Sequence, residues 1–133
     1  MDSLSYDSVE DRAVLTLDAP ETRNALSVEM ARELQDGIAR AEDDEVRCVV
    51  VQGAGSTFCS GGDVKSMLEG VSEEMPVERR IEEFALPVNR AVQAVAECSL
   101  PTVAKVDGPA FGAGGALAIA CDVVLASERA KIG

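Results

Sequence analysis

The chain has 133 residues, 47% of them apolar and 3% aromatic, which fits a single domain whose core is built from Val, Leu, Ile and Ala. Its 24 acidic and 12 basic residues leave a net charge of −12, which argues against nucleic acid and anionic membranes as partners, because both require a basic face. No apolar run approaches the ~20 residues needed to span a bilayer, the polar N-terminal segment is not a targeting peptide, and four cysteines without a histidine make no zinc set. We therefore expect a cytoplasmic protein with reduced thiols and no metal. Lysine is scarce, with Lys65, Lys105 and Lys131 against nine arginines. An acidic, lysine-poor surface fits a salt-adapted source, where ions screen self-repulsion, and equally an ordinary acidic cytosolic protein.

In chain order, Leu4 to Val9 and Ala13 to Leu17 alternate apolar with polar residues around the turn Glu10-Asp11-Arg12, which predicts a β-hairpin. Ala19-Pro20 ends the second strand. Ser27 is a good N-cap, and Leu26, Met30, Leu34, Ile38 and Ala41 recur at helical spacing as far as Asp43-Asp44. The β-branched run Cys48 to Val51 reads as a strand buried on both faces. Asp63 can cap a short helix through Leu68. A longer helix begins near Pro76, with Val77, Ile81, Phe84, Ala85, Val88, Val92 and Val95 as its buried stripe. Pro87 interrupts that stripe and predicts a kink or two abutting helices. Pro101 precedes a strand from Thr102 to Val106, a glycine-rich turn follows, and Ala116 to Ala120 reads as an apolar, buried helix before a last strand from Val123 to Ala126. Cys48 and Cys121 read as small core residues. Strands alternating with helices predict an α/β layered fold.

Two loops carry the chemistry. Phe58-Cys59-Ser60-Gly61-Gly62-Asp63-Val64 joins a strand to a helix start, where backbone N–H groups are free to hold an oxygen anion and Gly61 and Gly62 allow close approach. Its plain alternative is a Gly-Gly turn with an Asp cap. Asp107 to Ala116 is a second strand-to-helix junction, and two such junctions facing each other would make a two-donor oxyanion hole. Tight packing of an apolar helix on a sheet is the plain alternative there. A dinucleotide fingerprint is disfavoured, because Leu117 stands where its third glycine belongs. Arg23, in the loop Ala19 to Leu26, is a candidate phosphate partner.

Together and in this order, these motifs resemble the crotonase (enoyl-CoA hydratase/isomerase) superfamily. The matching residues are Pro20 with Asn24-Ala25-Leu26, the loop Phe58 to Asp63, Pro101-Thr102-Val103-Ala104, the turn Gly108 to Gly114, and Cys121-Asp122. The resemblance covers the chain from about Val14 to Gly133.

The resemblance implies a crotonase-like ββα spiral core over residues 1–133, an incomplete acyl-CoA-binding domain that stops before the family's C-terminal helices. It implies a thioester carbonyl held by the backbone N–H groups of Gly62 and Ala113, with Arg23, Ala25, Ser60, Gly61, Asp63 and Val64 along the CoA path. CoA enters only as part of the substrate, with no separate cofactor, and the assembly is a homo-trimer or hexamer. Ala113 stands where the family often has Gly. Ala116 stands where the family's hydratases carry a glutamate, and the family's second acid lies beyond Gly133. A non-catalytic CoA-ester binder is the alternative to an enzyme.

Overall fold

The computed structural model describes residues 2–69 and 71–133. Leu4–Val9 (β1) and Arg12–Leu17 (β2) pair antiparallel as a hairpin. Alternation assigns their faces: Leu4, Ala13, Leu15 and Leu17 are buried, whereas Asp7, Val9 and Arg12 are exposed. Three parallel strands extend the sheet, Cys48–Gly53 (β3), Thr102–Val106 (β4) and Val123–Ala126 (β6), in the order β1-β2-β3-β4-β6. Parallel neighbours need crossovers, which Val28–Asp43 (α1), Val77–Ala96 (α3) and Ala113–Ala120 (α4) supply. The expected α/β spiral is thus present, with α1 against β1, β2 and α3, and α3 against α4.

The N-cap prediction for α1 holds: the Ser27 hydroxyl accepts the Met30 N–H at 3.1 Å. All five apolar positions named for this helix are buried. The β3 prediction needs correction at its first residue. Val49, Val50 and Val51 are all buried, Val49 and Val51 in the core and Val50 on the other face, and only Cys48 of the predicted run is half-buried. The helices cover one face of the sheet, and the other face carries an open depression of ≈ 740 Å³ lined by Val9, Arg12, Val14, Val50, Lys105 and Leu125 among others. Cys121 is buried as a core residue, whereas Cys48 sits at the edge of that depression.

Pro87 does not divide α3, which runs as one 20-residue helix. A proline inside a helix costs one backbone hydrogen bond. Here the turns after it are fixed by Val88, Ala91 and Val95 in the core, and the Gln35 amide donates to the Pro87 carbonyl at 3.4 Å. The stripe before it is buried only in part: Phe84 and Ala85 are half-buried, but Val77 is 37% and Ile81 46% exposed. The apolar helix α4 begins at Ala113, three residues earlier than its composition suggests, and only one face of it is buried, with Ile119 69% exposed. Its end is stitched to the start of β4. The Asp122 carboxylate accepts the Thr102 N–H at 2.9 Å, and the Thr102 hydroxyl accepts the Asp122 N–H at 2.9 Å.

Two short strands that the sequence did not announce, Pro109–Ala110 (β5) and Lys131–Ile132 (β7), pair in parallel beside the main sheet. Among the described residues, no helix is long and apolar enough to cross a membrane.

Candidate functional site

The three sequence motifs converge at one place, joined by backbone hydrogen bonds. Leu26 donates its N–H to the Gly61 carbonyl at 2.7 Å, and Asp63 donates to the Leu26 carbonyl at 3.1 Å. Ser60 donates to the Arg23 carbonyl at 3.1 Å, which zips the loop after Pro20 to the loop before the short helix Val64–Leu68 (α2). On the other side, Phe111 donates to the Cys59 carbonyl at 3.0 Å, and Cys59 to the Pro109 carbonyl at 3.2 Å. The Phe58–Val64 and Asp107–Ala113 junctions therefore lie side by side.

Close contact or a left-handed backbone explains the glycines here. Gly61 has φ +121°, a region open to glycine, and a Cβ on it would lie 3.2 Å from the Phe111 carbonyl oxygen. A Cβ on Gly112, at φ +54°, would lie 4.0 Å from the Gly61 Cα. One on Gly114 would come within 2.3 Å of the Cys59 carbonyl oxygen, so α4 can approach this loop only without a side chain. Asp63 caps α2, its carboxylate accepting the Ser66 N–H at 3.1 Å.

Gly62 and Ala113, the two candidate donors, sit on these adjacent junctions, Ala113 as the first residue of α4. Among the described residues, neither N–H donates to a backbone acceptor. The Phe84 ring from α3 lies against Gly62, 3.0 Å from where a Cβ would stand. Ala116 follows Ala113 by three residues on α4 and is half-buried. Beneath the junction Cys59 is buried, and burial pushes its thiol above the usual cysteine value.

The remaining candidate residues lie along the same rim. Arg23 is in the left-handed region at φ 56° and, with Pro20 and Ala54 to Thr57, lines a cleft of ≈ 300 Å³. It forms no salt bridge with the described residues. Ala25 and Ser60 are half-buried, and Val64 is 55% exposed. Among the described residues, no group of three His, Cys, Asp or Glu side chains could hold a metal.

Asn24 is a positioning residue that sequence reasoning used only as part of a motif. It is fully buried, at φ 56°. Its side-chain oxygen accepts the Ala19 N–H at 2.9 Å, while its amide donates to the carbonyls of Ala54 at 2.9 Å and Thr57 at 2.8 Å. An Asn tolerates the left-handed backbone and satisfies three turn groups at once. The signal was an amide in an otherwise apolar Asn-Ala-Leu run, where a buried polar group needs partners.

The family model for enoyl-CoA hydratase/isomerase matches residues 9–133. A Rhodobacter capsulatus protein described as a probable enoyl-CoA hydratase is 41% identical over 128 residues, covering 96% of this chain and 47% of the relative. The crystal structure of an enoyl-CoA hydratase/isomerase from Marinobacter aquaeolei superposes with a TM-score of 0.89 at 29% identity, covering 100% of this chain and 52% of that one. An enoyl-CoA hydratase structure from Mycobacterium avium subsp. paratuberculosis gives 0.78 at 36% identity, over 96% of this chain and 46% of that one. The chain thus spans about half the length of these relatives. The motif order, the spiral of strands and helices and the near-complete match together place the chain in the enoyl-CoA hydratase/isomerase family.

Proposed function

We propose that this chain binds an acyl-CoA thioester and polarises its carbonyl between the N–H groups of Gly62 and Ala113. The observation that carries the reading is the pair of N–H groups on adjacent junctions, both without a backbone acceptor among the described residues. A thioester oxygen placed there gains charge as an enolate or tetrahedral anion forms, and preorganised donors stabilise that charge. One such donor is worth roughly 10²–10³ in rate. The Ala113 N–H also opens α4, so the helix dipole acts in the same direction. Arg23, Ala25, Ser60, Gly61, Asp63 and Val64 supply the rim along which the CoA portion runs.

The proton steps are a separate matter. Water addition needs a positioned acid or base, worth about 10²–10⁴-fold. Ala116 offers none where family hydratases hold a glutamate. We therefore read the 133-residue chain as a thioester-binding and carbonyl-polarising unit, with a non-catalytic CoA-ester binder as the second reading. The exposed Val77, Ile81 and Ile119 favour assembly, with the homo-trimer or hexamer implied by the resemblance.

Calorimetric titration with acetyl-CoA and with NAD tests the binding claim. Acetyl-CoA is expected to bind and NAD is not; the reverse would defeat the reading. A crotonyl-CoA hydration assay on the same chain is expected to stay below ~1 turnover per second, the low end of ordinary enzymes.

A further inference from the structure

A groove of ≈ 600 Å³ between α1, α2 and α3 shares no residue with the site proposed for the thioester, and its lining is cationic. Arg32, Arg80 and Arg90 border it, with Ser66 and Gln35 between them, and Glu83 is the one acidic residue in the described lining. The chain has 12 cationic residues against 24 acidic ones, so three of its scarce cations meet in one groove of an otherwise acidic molecule.

The three arginines are held differently. Arg80 is three-quarters buried at its side chain and fixed: Nε donates to the Met67 carbonyl at 3.0 Å, Nη2 to the Ser66 carbonyl at 3.3 Å, and Nη1 lies 3.6 Å from the Glu83 carboxylate. Arg32 and Arg90 are exposed and form no salt bridge among the described residues. Arg32 follows Val28 by one turn on α1, and Arg90 follows Pro87 on α3, so two facing helices present guanidinium groups to one space. The Gln35 amide spans those helices by donating to the Pro87 carbonyl, which fixes the floor.

Like charges drawn together with a single carboxylate among them repel, and a bound anion relieves that repulsion. Guanidinium groups match the oxygens of phosphate with paired N–H donors, and the Ser66 hydroxyl adds a neutral one. The volume lies within the range of small-molecule sites.

We infer that this groove binds a phosphorylated small molecule carrying at least two negative charges, seated between Arg32 and Arg90 over the fixed Arg80. The phosphates of a CoA nucleotide and those of a separate phosphorylated metabolite share this chemistry. The inference does not depend on the thioester site, because it uses none of that site's residues.

The test is calorimetric titration of the whole chain with inorganic pyrophosphate at low salt, with and without saturating CoA. The wild type, Arg32→Gln, Arg90→Gln and the double variant are compared. Pyrophosphate is expected to bind, each single variant to weaken it about tenfold, the double variant to abolish it, and added salt to weaken it in the wild type. Both replaced side chains are exposed, so thermal midpoints should match the wild type; a variant with a lowered midpoint is replaced by its Lys counterpart, for which a smaller loss of affinity is expected. Competition by CoA assigns the groove to the nucleotide phosphates, and additive binding assigns it to a separate ligand. Absence of pyrophosphate binding in the wild type would overturn the inference. So would undiminished affinity in the double variant, or arginine substitutions that change only the chain's self-association, which would assign the groove to an acidic segment of another copy.

Discussion

The junction from Phe58 to Val64, with the turns that lead into it, adds side-chain hydrogen bonds to its backbone ones, and the junction from Asp107 to Ala113 relies more on backbone fit. Leading into the first, Asn24 ties together groups of Ala19, Ala54 and Thr57, and within it Asp63 caps α2. At the second, glycines let chain segments touch: a Cβ on Gly108 would lie 2.0 Å from the Ser56 carbonyl oxygen, and one on Gly114 would lie 2.3 Å from that of Cys59. The lesson concerns tolerance. Removing a side chain leaves hydrogen-bonding groups that water can partly satisfy, whereas adding a methyl between two backbones leaves no relaxation short of moving an element.

The largest effect should therefore come from Gly114→Ala. Helix propensity alone would favour Ala by about 1 kcal/mol. The clash with the Cys59 backbone opposes this and should lower stability by roughly 3 kcal/mol or more, the upper range for overpacking. Urea denaturation measures the loss, and alkylation of Cys59 reports its site. That thiol is buried with a raised pKa in the native chain, so it should react slowly in the wild type and quickly in the variant. A variant as stable as the wild type would show that α4 can withdraw from the loop without cost.

Asn24→Ala attacks the side-chain hydrogen bonds leading into the first junction. It leaves the Ala19 N–H and the Ala54 and Thr57 carbonyls without their partner. Each unsatisfied buried group costs about 1–3 kcal/mol, but the loop lies near the surface and water can reach part of it. We expect a loss of about 2–3 kcal/mol by thermal or urea unfolding. Asn24→Asp should recover part of it, because the acceptor to Ala19 remains. Equal losses in both variants would place the weight on the amide donors alone.

The contrast also explains what could be read from sequence. The hairpin, the crossover helices and the alternation of strands and helices were legible because each rests on periodicity or a cap: Ser27, Asp63 and the α1 stripe Met30, Leu34, Ile38 and Ala41. The motif residues that meet at the junctions were legible through glycine and its neighbours. Other features were not. The start of α4 at Ala113 has no side-chain cap, since Gly112 opens it. The bare face of the sheet and the exposed Val77 and Ile81 escape a composition argument, which assumes that apolar residues find cover within the same chain. Asn24 was visible as a letter, but its three bonds span 30 residues and more for two of them, a separation no local pattern encodes.

Asp63→Ala should cost less, about 1 kcal/mol, the usual value of an N-cap. The capped helix has five residues, none of them buried, so few other contacts would fail with it. Hydrogen exchange of the Ser66 and Met67 amides should accelerate while exchange in β3 stays unchanged. Acceleration across β3 as well would mean that α2 supports the sheet.

Gly62→Ala should have the smallest effect, and it isolates the principle. Gly62, like Gly114, lies outside the positive-φ region, so a side chain is conformationally allowed at both. The two differ only in what faces the added methyl: a backbone carbonyl at 2.3 Å for Gly114, and the edge of the Phe84 ring at 3.0 Å for Gly62. Phe84 is half-buried and packs near the exposed half of α3, so its ring can turn away. Its strain should be roughly offset by the 0.4–1 kcal/mol gained when Ala restricts the unfolded chain. We expect stability within about 1 kcal/mol of the wild type. The variant also keeps the backbone N–H proposed as an oxyanion donor, so acetyl-CoA affinity should change by less than about tenfold. A stability loss matching that of Gly114→Ala would mean that Phe84 is as immovable as a backbone, and that this junction is fixed by shape as rigidly as its neighbour.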